Sequence, residues 1–333
     1  MSTSGNSPEV TLENIKEASR RIAPFVHQTP LQPSRTLSEI TGREIHLKLE
    51  NMQKTGSFKV RGAANKIYSL TPAEAACGII TASAGNHAQG VALAARACGV
   101  TATVVMPEKA PVAKVRATQA YGATVHLKGR NYDEAYQYAC ELQRQEGRTF
   151  IHAFDDQAVI AGQGTIAIEI MSQMFDVEAV IAPVGGGGLL SGLAVAVKEH
   201  NPKVKVIGVQ AAGAPSMVRS LEEGCRCCLP SVQTIADGIA VKSPGELTYR
   251  YVEKYVDDLV LVDEEEITQG ILFMLERGKM ITEGAGVAGV AGLLAGKVRL
   301  PVQKVAVVVS GGNIDPLLLS RLIENNYPQV SSL

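Results

Sequence analysis

The chain has 333 residues, 46% of them hydrophobic and 20% charged, with a formal net charge of −1. This ordinary globular composition allows two domains, and the lack of a basic block argues against nucleic acid or an anionic membrane as main partner. No apolar run approaches the roughly 18 residues of a membrane helix, and the six cysteines lack zinc-ligand spacing, which predicts reduced thiols in the cytoplasm.

Met1 to Pro8 is small and polar, without the apolar core of a signal peptide, and reads as a disordered tail. Leu12, Ile15, Ala18 and Ile22 share one helical face, with Thr11 as N-cap. Pro24, Pro30 and Pro33 then predict irregular chain. Ile45, Leu47 and Leu49 alternate as in a strand, and Ala63 to Leu70 reads as a helix, so Lys59 is placed near a strand-to-helix junction. Short buried strands are expected at 78–83, 101–106 and 123–127, alternating with helices at 87–98, 113–121 and 133–145. A second series of strands falls at 179–184, 205–209, 259–262 and 305–309. Such alternation means parallel sheets covered by helices on both faces. Two series suggest two α/β domains, with the cleft between them as the natural ligand site.

Two stretches carry chemistry. In Lys54-Thr55-Gly56-Ser57-Phe58-Lys59-Val60-Arg61-Gly62 the glycines permit a tight turn, and Lys59 lies between Phe58 and Val60. An apolar setting lowers a lysine pKa, and the neutral amine is what attacks a carbonyl. Taken alone, Lys59 reads more readily as a helix-surface lysine with its stem along Phe58 than as a catalytic one. The second stretch is Gly185-Gly186-Gly187-Gly188-Leu189, a glycine loop between a strand and a helix, which makes an anion site of backbone N–H groups. The other reading is a tight turn that lets helix pack on sheet. The loop lacks the third glycine of a dinucleotide fingerprint and the Gly-Lys-Ser/Thr of a P-loop.

Those two stretches, with Ser83-Ala84-Gly85-Asn86-His87 and Ser310-Gly311-Gly312-Asn313, resemble the fold-type II pyridoxal phosphate enzymes. Threonine/serine dehydratases match best and serine racemases second, from about Thr11 to about Asp315. The resemblance implies a tryptophan synthase β-like fold, with 1–69 and 152–333 as the large cofactor-binding domain and 70–151 as the small one. It implies pyridoxal 5'-phosphate on Lys59, Phe58 packed against its ring, and Asn86 bonded to the ring hydroxyl. Gly185, Gly186, Gly187, Gly188 and Leu189 would hold the phosphate, and Ser310 would face the ring nitrogen. The backbone of Ser83, Ala84, Gly85, Asn86 and His87 would hold the substrate carboxylate, with His87 contributing no side-chain chemistry. Asp237, Gly238 and Glu283 would line the cleft without an assigned role. Gln210, Ala214 and Ser216 match a metal site of serine racemases but include no carboxylate, so no metal is expected there.

The activity implied is β-elimination through a lysine Schiff base, L-threonine giving 2-oxobutanoate and ammonia, and L-serine giving pyruvate. Racemisation of serine and non-catalytic small-molecule binding are the alternatives. Racemases of this family carry a serine where Ala84 stands, and losing a positioned acid typically costs ~10²–10⁴-fold in rate. A homodimer or homotetramer is implied, with an AMP or other nucleotide effector held by Lys54, Thr55, Gln89, Tyr121, Lys279 and Asn313. The chain ends about 20 residues past Asn313, so feedback inhibition through an added regulatory domain is not expected.

Overall fold

In the computed structural model, which describes residues 9–299 and 301–327, Thr11 starts the first helix. Its hydroxyl accepts from Asn14 N–H, and Asn14 Oδ1 accepts from Thr11 N–H at 3.0 Å, a reciprocal cap that opens α1 (Leu12–Ile22). The tail expected at Met1 to Pro8 lies outside the described residues. Next come β1 (Leu31–Pro33), α2 (Arg35–Thr41), β2 (Glu44–Leu49) and α3 (Lys59–Tyr68). The middle of the chain holds α4 (Pro72–Cys77), β3 (Ile79–Ala82), α5 (Asn86–Ala97), β4 (Ala102–Met106), α6 (Val112–Ala120), β5 (Thr124–Leu127), α7 (Tyr132–Glu146) and β6 (Thr149–Phe150). The rest forms α8 (Gln157–Gln173), β7 (Ala179–Pro183), α9 (Gly188–His200), β8 (Lys205–Ala211), α10 (Ser216–Glu222), α11 (Glu246–Tyr255), β9 (Asp258–Val262), α12 (Glu264–Phe273), α13 (Gly284–Leu294), β10 (Lys304–Val309) and α14 (Pro316–Asn326).

Two sheets result. One has six strands in the order β1-β2-β10-β7-β8-β9, the other four in the order β5-β4-β3-β6. Pairing is parallel except at β1, which runs antiparallel to β2 with Leu31 opposite Lys48. Val305 to Val309 are wholly buried in β10, between β2 and β7. A near-continuous apolar run is what a parallel strand covered on both faces requires.

Three details differ from the sequence reading. The helix after the lysine stretch begins at Lys59 itself, not at Ala63. The chain around Pro33 is not wholly irregular, because Pro33 closes β1 on the sheet edge, where a missing N–H is tolerated. The strand expected to be buried at 123–127 is the edge strand β5, with Thr124 and Leu127 exposed. Among the described residues, no helix is long and apolar enough to cross a membrane. The segments after β2, β3, β7 and β10 carry Lys54–Lys59, Ser83–Asn86, Gly185–Gly188 and Ser310–Asn313. Carboxyl ends of parallel strands are where open α/β sheets form their crevice.

Candidate active site

Lys59 starts α3 behind Phe58, an N-cap residue that makes no side-chain cap. The strap before it is tied to the segment after β10. Ser57 bridges Gly311, Phe58 N–H donates to Ser310 O at 3.1 Å, and Gly312 N–H donates to Gly56 O at 2.9 Å. Gly56 needs its glycine, since its φ is +70° and a Cβ would stand 2.5 Å from Asn313 Oδ1. Lys59 Nζ donates to Ala153 O at 2.9 Å and lies 5.1 Å above the Phe58 ring. Burial pushes this ammonium down to about 8, against the opposing pull of Glu283. An amine poised there is neutral often enough to act as nucleophile or base.

Asn86 opens α5 and binds on two sides. Its Nδ2 donates to Glu283 Oε1 at 2.6 Å, and its Oδ1 accepts from Asn313 Nδ2 at 2.8 Å. Asn313 Nδ2 also donates to Thr55 O at 2.7 Å. Glu283 is 4% exposed, and burial, helped by Asp237, raises its carboxyl to about 7. Asp237 is itself paired with Lys114 at 2.8 Å. His87 is buried with Nε2 3.0 Å from Ile151 O, and burial together with Lys59 pushes it down to about 3. The ring is therefore neutral and donates from Nε2, because a carbonyl can only accept. Ser83, Ala84 and Gly85 are partly exposed, with Gly85 N–H bonded to Ser83 Oγ at 3.2 Å.

Gly185 to Gly188 join β7 to α9, and all four are buried, as is Leu189 after them. A Cβ on Gly186 would stand 2.5 Å from the Phe154 ring, one on Gly188 would stand 2.9 Å from Phe154 Cα, and one on Gly185 would stand 2.8 Å from Ile239 Cα. Thr248 Oγ1 donates to Gly186 O at 2.6 Å from below. Ser191 N–H reaches Gly187 O at 2.8 Å, and the earlier N–H groups of that turn are donors that a helix start leaves open. The segment around Phe154 links loop to lysine. Ala153 O receives Lys59 Nζ, and the next residue packs on Gly186.

Ser310 directly follows β10, 3% exposed, with Oγ 3.4 Å from Ala285 O. Gly238 lies near Glu283, a Cβ there standing 3.7 Å from its Oε1. Of the six residues expected at an effector site, Thr55 and Asn313 are joined. Lys54 Nζ instead lies 4.7 Å over the Phe25 ring. Gln89 follows Asn86 by three positions on α5, and Tyr121 ends α6 partly buried. Lys279 is exposed with φ +55°. Gln210 and Ser216 are buried, and Gln210 Oε1 accepts from Val218 N–H at 3.1 Å. The sequence reading missed Ala153, Phe154 and Thr248. Ala153 acts through a backbone oxygen, which no pattern of residue types reveals.

A family model described as "Pyridoxal-phosphate dependent enzyme" matches residues 22–311. The L-threonine ammonia-lyase of Thermotoga maritima is 55% identical over 314 residues, covering 94% of this chain and 78% of its own length. The solved structure of maize serine racemase superposes with a TM-score of 0.91 at 34% identity, covering 96% of this chain and 98% of that one. The solved threonine deaminase from T.th. superposes with a TM-score of 0.87 at 43% identity, covering 92% of this chain and 99% of that one. The matched span contains Lys59, Asn86, the glycine loop and Ser310, the segments that the fold brings together. The chain belongs to the family of pyridoxal-phosphate dependent enzymes.

Proposed function

We propose that the protein is a pyridoxal-phosphate-dependent threonine dehydratase (threonine ammonia-lyase), a lyase that converts L-threonine to 2-oxobutanoate and ammonia, and L-serine to pyruvate. The observation that carries this is the Lys59 amine, lowered to about 8 by burial and set where four strand-end segments meet. The relatives named for threonine deamination support the substrate. The residues fit the cofactor. An amine for its aldehyde stands at one end, and open helix-start donors for its phosphate lie in a loop that admits no side chain. In the strap before Lys59, Ser57 Oγ and Thr55 Oγ1 are buried without hydrogen-bond partners.

Pyridoxal phosphate, when bound, supplies an electron sink for charge developing at the substrate α-carbon. The chain's own groups do the rest. Lys59 holds the cofactor and then, as a free amine, takes the α-proton at Nζ. Gly185 to Leu189 would hold the phosphate, Phe58 would pack against the ring and Asn86 would bond its hydroxyl. Ser310 would offer the ring nitrogen a hydroxyl rather than a carboxylate, which would give little reason for protonation there and would suit loss of a β-substituent over transamination. The backbone N–H groups of Ser83 to His87 hold the substrate carboxylate at the start of α5.

In this reading 1–69 and 152–333 form the large domain and 70–151 the small one, supported by the division of strands between the two sheets. The protein works in the cytoplasm, consistent with its six free cysteines. It forms a homodimer or homotetramer that binds AMP or ATP through Lys54, Thr55, Gln89, Tyr121, Lys279 and Asn313, supported by the Thr55–Asn313–Asn86 chain leading into the site. Titrating AMP and ATP while following rate and mass should raise activity; no change in either rejects the effector. For the reaction itself, holoenzyme with L-threonine should release equal amounts of 2-oxobutanoate and ammonia. Fully loaded enzyme that releases neither contradicts the assignment.

A further inference from the structure

Two residues beyond Lys59, on the same helix, stands an arginine outside the reacting groups. Arg61 is 0% exposed and carries a double bidentate grip. Its Nε and Nη2 donate to Glu50 Oε2 and Oε1, both at 2.8 Å. Its Nη1 and Nη2 donate to Glu169 Oε1 and Oε2 at 2.6 and 3.0 Å. Glu169 Oε2 also accepts from Lys48 Nζ at 2.6 Å, and Glu50 Oε1 from Thr29 Oγ1 at 2.5 Å. Two cations and two anions thus meet where β2, α3 and α8 pack together, with Lys48, Glu50 and Arg61 fully buried and Glu169 nearly so. Burial would push the Glu50 carboxyl up, yet Arg61 outweighs it and holds the group below the ordinary carboxylate range. Taking four charges out of water is unfavourable unless the geometry is well satisfied, and an apolar cluster of equal volume is often as stable. Stability alone therefore does not account for this arrangement.

Its placement does. Glu50 ends the strand side of the strap and Arg61 lies in the first turn of α3, so their bond closes the 51–60 segment like a staple. The turn has no side-chain cap. Besides Phe58 N–H on Ser310 O, it is held on the α8 side by Arg61 on Glu169 and by Gly62 N–H on Gln163 Oε1 at 3.1 Å. Side chains two residues apart on a helix point roughly 200° apart, so Arg61 anchors one face while Lys59 leaves from the other, toward Ala153 O.

We propose that Arg61 is a positioning residue: held by Glu50 and Glu169, it fixes the first turn of α3 and so aims the Lys59 amine at the cofactor and the substrate α-proton. This rests on the dehydratase reading. Lysine cannot reproduce a planar fork that serves two carboxylates, so holo Arg61→Lys loses the aim while keeping the charge. Displacements of about 1 Å cost on the order of 10²-fold in rate, and kcat for threonine should fall by about 10- to 100-fold with KM within about twofold. The absorbance band of the lysine-linked cofactor should shift, and cofactor should be lost faster on dialysis. Glu169→Gln, at the less buried end of the cluster, should give a smaller loss of the same kind and serves if Arg61→Lys does not fold. Wild-type kcat per bound cofactor and an unchanged band, with only a lower melting temperature, would reduce the cluster to a structural role and overturn the proposal. Wild-type enzyme inert toward threonine is a different result and counts against the dehydratase reading instead.

Discussion

At the scale of single residues, two side chains make opposed demands on pH and stereochemistry. Glu283 is buried, and its carboxyl is raised from 4.5 to about 7. The folded protein therefore holds a proton there that the unfolded chain releases near pH 4.5. Ionising it in place is unfavourable, so stability from this group falls as pH rises from about 4.5 through about 7 and stays low above that. Glu283→Gln, which can still accept from Asn86, should raise the melting temperature of cofactor-free protein at pH 8 and leave it nearly unchanged at pH 4.5. The full effect is at most about 3 kcal/mol. A gain that is equal at both pH values contradicts the buried-carboxyl account. Ala84 bears on the product. In the proposed reading Ala84 lies on the substrate face opposite Lys59, where its methyl group neither donates nor accepts a proton, so L-serine should yield pyruvate with negligible D-serine. Chiral chromatography checks this, and D-serine formed at a rate comparable to pyruvate would turn the assignment to a racemase.

Among the elements, the turn from β7 to α9 shows most sharply why composition alone was ambiguous. The four glycines were legible as either a phosphate cradle or a packing turn, and the structure shows that packing alone already forbids side chains there. Gly186 lies against the Phe154 ring and Gly188 against its backbone. Gly186→Ala forces that ring aside, an overpacking typically worth about 1–3 kcal/mol, and should weaken cofactor binding by roughly tenfold or more in a fluorescence titration. Phe154→Ala in the same chain should restore part of the affinity, because it removes the obstruction. Wild-type affinity in the single variant would mean that the loop does not hold the cofactor. Propensity placed α3 four residues late, since Lys59 to Gly62 reads as strap chemistry until its tertiary partners are seen. Periodicity likewise found β5 without telling that it lies on an edge, which depends on strand order.

For the whole molecule, alternating apolar runs were enough to read parallel sheets flanked by helices, because strands buried on both faces leave continuous signatures such as Val305 to Val309. The four motifs were legible through glycines and through a lysine set among apolar residues. What stayed hidden depends on contacts across long stretches of chain. Lys48, Glu50, Arg61 and Glu169 look like ordinary surface charges in the sequence, and only the fold brings Glu169 onto Arg61 at 2.6 Å. The same holds for the pairs that cross between the two sheets' segments, Lys114 with Asp237 and Lys242 with Asp133, both at 2.8 Å. The central claim is that the fold gathers the ends of four strands around one lysine and that this lysine carries the cofactor. Reduction of the holoenzyme with borohydride, followed by digestion and peptide mapping, tests it directly. The reduced cofactor should appear on the peptide containing Lys59 and on no other; a label on a different lysine, or no label on fully yellow enzyme, contradicts the account.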